Sequence, residues 1–245
     1  MSGEVFRTVL PVYPGGCDHT GLARPSALQS LFITAALRHL DSVGASREDV
    51  LRACGGIWVL VRCSLDILAP IAGDDVEVVT WGAAAKGVGF PREAELTVGG
   101  RPAARVSSLW GLVDAETHRL LRPSALTDVL RFPVLDAPRF ETPHRIRRAA
   151  LSPAPYLHTV RYSDLDMNGH LHSARYADLC CDALALEQER SRVRSFGISY
   201  VAECLPGETI AVHCERSENT ALVLGIGSDG KNRFEARLIL ENFDY

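Results

Sequence analysis

The stretch from Asp164 to His172 holds two aspartates, an asparagine and two histidines, inside the run YSDLDMNGHLHSARY at 162–176. Asp166, Asn168 and His170 stand at i, i+2 and i+4, where extended chain gives way to an apolar helical segment. Their side chains can therefore face one pocket. Backbone N–H groups at a helix start have no intrahelical partners and are available there as donors. Carboxylate, imidazole and amide together supply what general acid–base chemistry needs. The plainer roles open to the same residues are an N-cap for Asp166, a turn position for Asn168 and a solvated histidine at 170.

The 245 residues suffice for one large domain or two of about 100 to 130 residues each. With 26 basic and 30 acidic residues the net charge is −4, too near neutral to indicate nucleic acid. Lys86 and Lys231 are the only lysines, so nearly all positive charge is arginine. No apolar run approaches the roughly 18 to 20 residues of a membrane span. Residues 1 to 16 show neither a basic start with an apolar block nor a small-residue cleavage site. Cys17, Cys54, Cys63, Cys180, Cys181, Cys204 and Cys214 are odd in number and form no C-x-x-C pair, against both a disulfide framework and a zinc site. The expectation is a soluble cytoplasmic protein with no metal and no cofactor. G-x-S-x-G, a phosphate loop and a metal-ligand cluster are all absent from the sequence.

The elements that must position the site repeat in order. Pro25 suits the first position of a helix, Leu28, Leu31, Phe32 and Ala35 follow at helical spacing, and Gly44 lies past its end. Val59, Val61, Cys63, Leu65 and Ile67 alternate with Leu60, Arg62, Ser64 and Asp66, the period-2 pattern of a strand. Further strands are expected through Val76 to Trp81 after a turn at Gly73-Asp74, on either side of Gly99-Gly100, and into a hairpin around Asp114 to Arg119. In the second half a strand ending near Ser163 leads to a helix from Leu171 to Leu186. Strands near 195–204, 209–216, 220–226 and 233–242 follow, with hairpin turns at Glu218-Asn219 and Asp229-Gly230. Asp18-His-Thr-Gly precedes the first helix as Asp166-Met-Asn-Gly precedes the second. Residues 133 to 158 carry Pro133, Pro138, Pro143, Pro153 and Pro155 and read as a linker. The fold class is α+β: each half is a long helix wrapped by its own curved antiparallel sheet, although an ordinary α+β sandwich would give a similar string.

DLDMNGHLHSARY closely resembles the D-L-D-x-N-x-H-V-N-N-V-x-Y signature of the acyl-acyl carrier protein (acyl-ACP) thioesterases of the plant and bacterial fatty-acyl type. Other pieces fall in that family's order: Trp58-Val59 with Arg62, Asp75 to Trp81, Asp114 to Arg122, and Tyr200-Val-Ala-Glu203-Cys204. The resemblance spans about 4 to 242. It implies two tandem hotdog domains: a catalytically degenerate N-terminal hotdog at 1–132, the linker at 133–158, and a catalytic C-terminal hotdog at 159–245. His172 and Ser173 stand where the family has asparagines, Gly169 replaces a common glutamine, and the following helix lacks the usual tryptophan.

By that resemblance the chain hydrolyses fatty acyl-ACP thioesters, with acyl carrier protein as its partner. Glu203, aided by His170, would activate water. Asn168 and a backbone N–H near Gly169 to Leu171 would hold the thioester oxygen, with Asp166 fixing the polar network or serving as an alternative base. Cys204 with His170 and Asn168 gives a second arrangement, that of a cysteine nucleophile. On an uninterrupted strand Glu203 and Cys204 would point to opposite faces. Thr20, Leu22 and Ala69 stand opposite Asn168, His170 and Glu203 and leave the first half without catalytic groups. Leu28, Leu31, Phe32, Trp58 and Trp110 are then candidate acyl-chain contacts. Two arginine runs could dock an acidic carrier protein, Arg145, Arg147 and Arg148 in the linker and Arg190, Arg192 and Arg194 after the second helix. The alternatives are an acyl-CoA thioesterase, a hotdog hydratase, whose Asp/Asn/His spacing of i, i+2 and i+5 fails here by one residue, and a non-catalytic acyl-thioester binding protein. A homodimer is compatible with all of them.

Overall fold

The computed structural model describes residues 4–73, 75–189 and 191–242; Asp74, in the expected turn, and Arg190 lie outside the described residues. The first half runs β1 (Val5–Pro11), α1 (Pro25–Ser42), α2 (Arg47–Cys54), β2 (Gly56–Ile67), β3 (Asp75–Gly82), β4 (Phe90–Val98), β5 (Arg101–Asp114), β6 (Leu120–Leu121) and α3 (Ser124–Thr127). The second runs β7 (Tyr156–Thr159), α4 (Arg175–Ala183), β8 (Ser191–Tyr200), β9 (Thr209–Ser217), β10 (Thr220–Ile226) and β11 (Asn232–Asn242). Proline at the first position starts α1 as expected, and its stripe of Leu28, Phe32, Ala35, Ala36 and Leu40 is buried against the sheet.

All strands join one antiparallel sheet in the order β1-β3-β4-β5-β2-β8-β11-β10-β9-β7, with β6 on the flank of β5. The seam between the halves is the β2–β8 pair, from Arg62 opposite Ser199 to Asp66 opposite Ser195. Phe196 and Ile198 of β8 lie in the same core as Phe32, Cys63 and Leu65. The seam thus lies within one continuous core shared by the two halves, and its strand pairing holds them in fixed register.

Three expectations shift. Helix α4 is shorter than 171–186: the His172 N–H donates to the Asp164 carbonyl (2.8 Å) and the Ala174 N–H to His172 Nδ1 (3.3 Å), so the chain turns before it coils. At the other end Ala185 adopts φ 51°, which breaks the helix. Strand β8 begins and ends about four residues earlier than 195–204. After Tyr200 the N–H groups of Val201 and Ala202 both donate to the Arg233 carbonyl (2.9 and 3.1 Å), which bends the chain and leaves Glu203 and Cys204 in a loop. Strand β7 starts at Tyr156, inside the segment read as linker, and stops at Thr159, with a 3-10 turn at Tyr162–Asp164 in place of a strand end near Ser163.

The rest of that proline-rich segment is bound along the sheet. Buried Glu93 accepts from Trp81 Nε1 (2.7 Å) and from the N–H groups of Arg139 (2.8 Å) and Phe140 (2.6 Å). Further on, Glu215 accepts from Ala150 N–H (2.9 Å) and His213 Nδ1 from Ser152 N–H (3.0 Å). The linker therefore spans from β3–β4 to β9 as a fixed strap.

Candidate active site

Asp166 organises the loop. Its Oδ1 accepts the N–H groups of Asn168 (2.8 Å) and His170 (3.3 Å), and its own N–H donates to the His170 carbonyl (2.9 Å). Gly169 supplies the φ of 77° that closes this turn. The Asn168 side chain lies beside the same carboxylate, Nδ2 to Asp166 Oδ2 at 3.3 Å. The loop after β8 then brings Glu203 alongside, with Oε2 3.4 Å from His170 Nε2. Side-chain exposures of 31% for His170 and 52% for Glu203 leave both open to water. Asp166, Asn168, His170 and Glu203 thus form one cluster.

One expected feature is absent. The N–H groups of Gly169, His170 and Leu171 are all occupied, by the Asp166 carbonyl, the Asp166 side chain and the Cys204 carbonyl respectively. The turn closes on itself, so these amides cannot also hold an oxyanion. Asn168 Nδ2 donates one hydrogen to Asp166 Oδ2, and its second hydrogen is the donor that remains within the loop.

The support behind the loop was not singled out from the sequence. Asp164, 3% exposed, accepts from His158 Nε2 (2.8 Å), Arg161 N–H (2.9 Å) and Arg175 Nη2 (3.2 Å), while its carbonyl holds the His172 N–H. Burial would raise its pKa, but the Arg161 N–H, His158 and Arg175 together outweigh that and hold it below the ordinary carboxylate value. Arg175 continues to Asp178 (2.6 Å), whose Oδ1 accepts from Ser26 of α1 (2.6 Å). The only signal for Asp164 was its place as the first aspartate of DLD.

Burial pushes the His172 imidazole below its usual value, Arg175 adds to the effect and Asp166 opposes it. With Nδ1 accepting from Ala174, the ring is neutral. A histidine with a lowered folded pKa stabilises the fold above its unfolded value of about 6.5, and that contribution fades as pH falls through the folded pKa. The urea midpoint should therefore fall as pH drops below about 6.5, and less steeply in His172→Asn; parallel curves for the two proteins would refute this.

Cys204 is fully buried and bonded by the Tyr176 hydroxyl (3.3 Å), and burial pushes its thiol up to about 11. Tyr176 packs edge-on against Tyr200 and Phe234, which places the thiol in an aromatic core. A thiol so placed stays protonated at neutral pH.

The first half carries a copy of this loop. Asp18 Oδ1 accepts from the N–H groups of Thr20 (2.8 Å) and Leu22 (3.2 Å), the Asp18 N–H donates to the Leu22 carbonyl (2.8 Å), and Gly21 has φ 83°. Thr20 and Leu22 match Asn168 and His170 as expected, but Ala69 does not match Glu203. Leu68 and Ala69 both donate to the Ala103 carbonyl as Val201 and Ala202 do to Arg233, and Ala23 bonds Ile71 as Leu171 bonds Cys204. The residue equivalent to Glu203 is therefore Pro70. A cavity of about 180 Å³ lies at this copy, lined by Thr20, Leu22, Leu28, Pro70 and, from the other half, Asp178 and Val193. His19, Asp182 and Glu187 also line it, but the positions equivalent to Asn168, His170 and Glu203 are Thr20, Leu22 and Pro70, so the amide, imidazole and carboxylate of the second loop have no counterpart there.

Of the other candidate contacts, Trp58 and Trp110 line a small apolar cavity with Leu40, Phe90 and Phe132. Leu31 packs at the core margin and Phe32 is wholly buried. The arginine runs are largely engaged: Arg145 with Glu235, Arg147 with Glu215, Arg192 with Glu241 and Arg194 with the Ile67 carbonyl, while Arg148 is exposed. Among the described residues no group of three or more His, Cys, Asp or Glu is placed to hold a metal, and no helix is long and apolar enough to cross a membrane.

The large antiparallel sheet with few helices is of the hotdog type. Residues 3–128 match the acyl-ACP thioesterase N-terminal domain and residues 154–238 the acyl-ACP thioesterase C-terminal domain, so the chain belongs to the acyl-ACP thioesterases, a family of thioester hydrolases. It resembles a crystal structure of an acyl-ACP thioesterase from Bacteroides thetaiotaomicron, 24% identical over 98% of this chain and 100% of that one, with a TM-score of 0.85. It is similar in fold to the 12:0-ACP thioesterase from Umbellularia californica, 20% identical over 99% of both chains, TM-score 0.86. A MaoC-like dehydratase from Phytophthora capsici is a more distant likeness, 14% identical over 76% of this chain and 69% of that one, TM-score 0.53. No curated protein matches the sequence.

Proposed function

We propose that the chain hydrolyses fatty acyl-ACP thioesters to free fatty acid and carrier-protein thiol, as two tandem hotdogs of which the second is catalytic. The observation that carries this reading is the His170–Glu203 pair at 3.4 Å, set beside the Asn168 amide in the Asp166-anchored loop. Glu203, oriented by His170, takes a proton from water as the water oxygen attacks the thioester carbonyl. Asn168 Nδ2 donates to the oxygen as it becomes an oxyanion. When the tetrahedral intermediate collapses, the C–S bond breaks and the proton returns to the leaving thiolate. The acyl chain extends toward the apolar first half, where Trp58 and Trp110 line a cavity. Cys204 has a structural role, and the free thiols suit a cytoplasmic enzyme of fatty-acid synthesis.

Purified protein assayed against acyl-ACP, acyl-CoA and enoyl thioesters should release free acid, fastest from carrier protein, and Asp166→Ala should not. A preference for CoA would revise the partner, and water addition to the enoyl chain with the thioester intact would refute hydrolysis. Cys204→Ser should keep kcat within about threefold, because the thiol is neutral and turned into the core; a loss of a hundredfold or more would restore the cysteine mechanism.

A further inference from the structure

The catalytic loop receives one side chain from the first half. Arg47, in the first turn of α2, donates from Nη1 to Asn168 Oδ1 at 2.5 Å. Three features separate this contact from an ordinary surface pair. A guanidinium only donates, so the amide oxygen must face it, and the Asn168 nitrogen then faces Asp166 Oδ2, to which it donates at 3.3 Å. Its partner here is an amide, not a carboxylate. A cation in the first turn also opposes the helix dipole, so α2 gains nothing from arginine at this position. The turn is nonetheless held firmly by a capping box, with Ser46 Oγ accepting from Asp49 N–H (3.1 Å) and Asp49 Oδ2 from Ser46 N–H (3.0 Å).

We infer that Arg47 is a positioning residue for hydrolysis: together with Asp166 at the nitrogen it fixes the orientation of the Asn168 amide, and by bonding the oxygen it polarises the amide, so that the free Nδ2–H becomes a stronger donor to the developing oxyanion. The inference rests on the function proposed above. Its chemical content is that the active site is completed across the seam between the halves. The Asp18 loop, despite its equivalent fold, contributes nothing to the reaction.

The test uses the full chain and two substrates, an acyl-ACP and an acyl thioester of N-acetylcysteamine, which carries no phosphate. Arg47→Met should lower kcat about tenfold on both with KM little changed, and Arg47→Lys should recover part of the loss. Adding Arg47→Met to Asn168→Ala should cost nothing further, because the two act through one donor. The melting temperature should not fall, since a cation leaves a helix N-terminus. Multiplicative losses in the double variant would overturn the inference, as would a defect confined to KM for the carrier-protein substrate, which would mark Arg47 as a phosphate contact. The Asn168 side-chain amide resonances should shift in Arg47→Met. Unchanged resonances would refute the contact whether or not the protein hydrolyses any thioester, whereas shifted resonances with an inactive wild type would fault the functional reading alone.

Discussion

Glu203→Gln should lower kcat for acyl thioester hydrolysis by about a hundredfold or more while the protein stays folded. Glutamine keeps the shape of the side chain and can still meet His170, but it cannot accept a proton from water. Because Glu203 is half exposed in a loop beyond β8, the substitution removes chemistry without opening the core. KM should change little, since the carboxylate serves the attacking water and not the bound acyl chain. Steady-state kinetics on one thioester decide the matter, and a variant within about threefold of wild type would remove Glu203 from the mechanism.

Asp164→Ala should be the most damaging change to stability near the site, about 1–3 kcal/mol by denaturant unfolding. Its buried carboxylate balances Arg175 and His158 and caps the turn at Arg161, so its removal leaves His158 Nε2 and the Arg161 N–H short of an acceptor and Arg175 with Asp178 alone. Its pKa is held low in the fold, so the stabilisation it gives is present above its ordinary value of 3.8 and is lost as pH falls through the lower, folded value. Asp164→Asn should retain part of the stability, because an amide oxygen can still accept from the Arg161 N–H. A loss below about 1 kcal/mol for the alanine variant would mean that the loop does not depend on this strut.

Much of this was legible in the residues. Pro25 and the spacing of Leu28, Phe32 and Ala35 marked α1, alternation marked β2, and Gly99-Gly100 and Asp229-Gly230 marked hairpins, because each of these signals is local. The cluster of Asp166, Asn168 and His170 was legible for the same reason. What escaped was set by distant partners. The early end of β8 depends on the Arg233 carbonyl, which takes both Val201 and Ala202 and so delivers Glu203 from a loop. Alternation of faces therefore does not apply to Glu203 and Cys204, although one is open to water and the other buried. Pro70, and not Ala69, is the counterpart of Glu203 because the paired hydrogen bonds to the Ala103 and Arg233 carbonyls fix the register, and no local signal in the sequence shows them. Nor could the proline-rich segment announce that Glu93 would bind it, 46 and 47 residues away. Arg47, 121 residues from Asn168, is the extreme case.

Water attack assisted by Glu203 is tested most directly by a single turnover with enzyme in excess, run in water enriched in ¹⁸O and read by mass spectrometry of the acid and of the protein. The mechanism requires one ¹⁸O in the released fatty acid, none in the peptide that contains Glu203, and no acyl group on Cys204. Unlabelled acid with label in Glu203, or an acyl adduct trapped on Cys204, would contradict it.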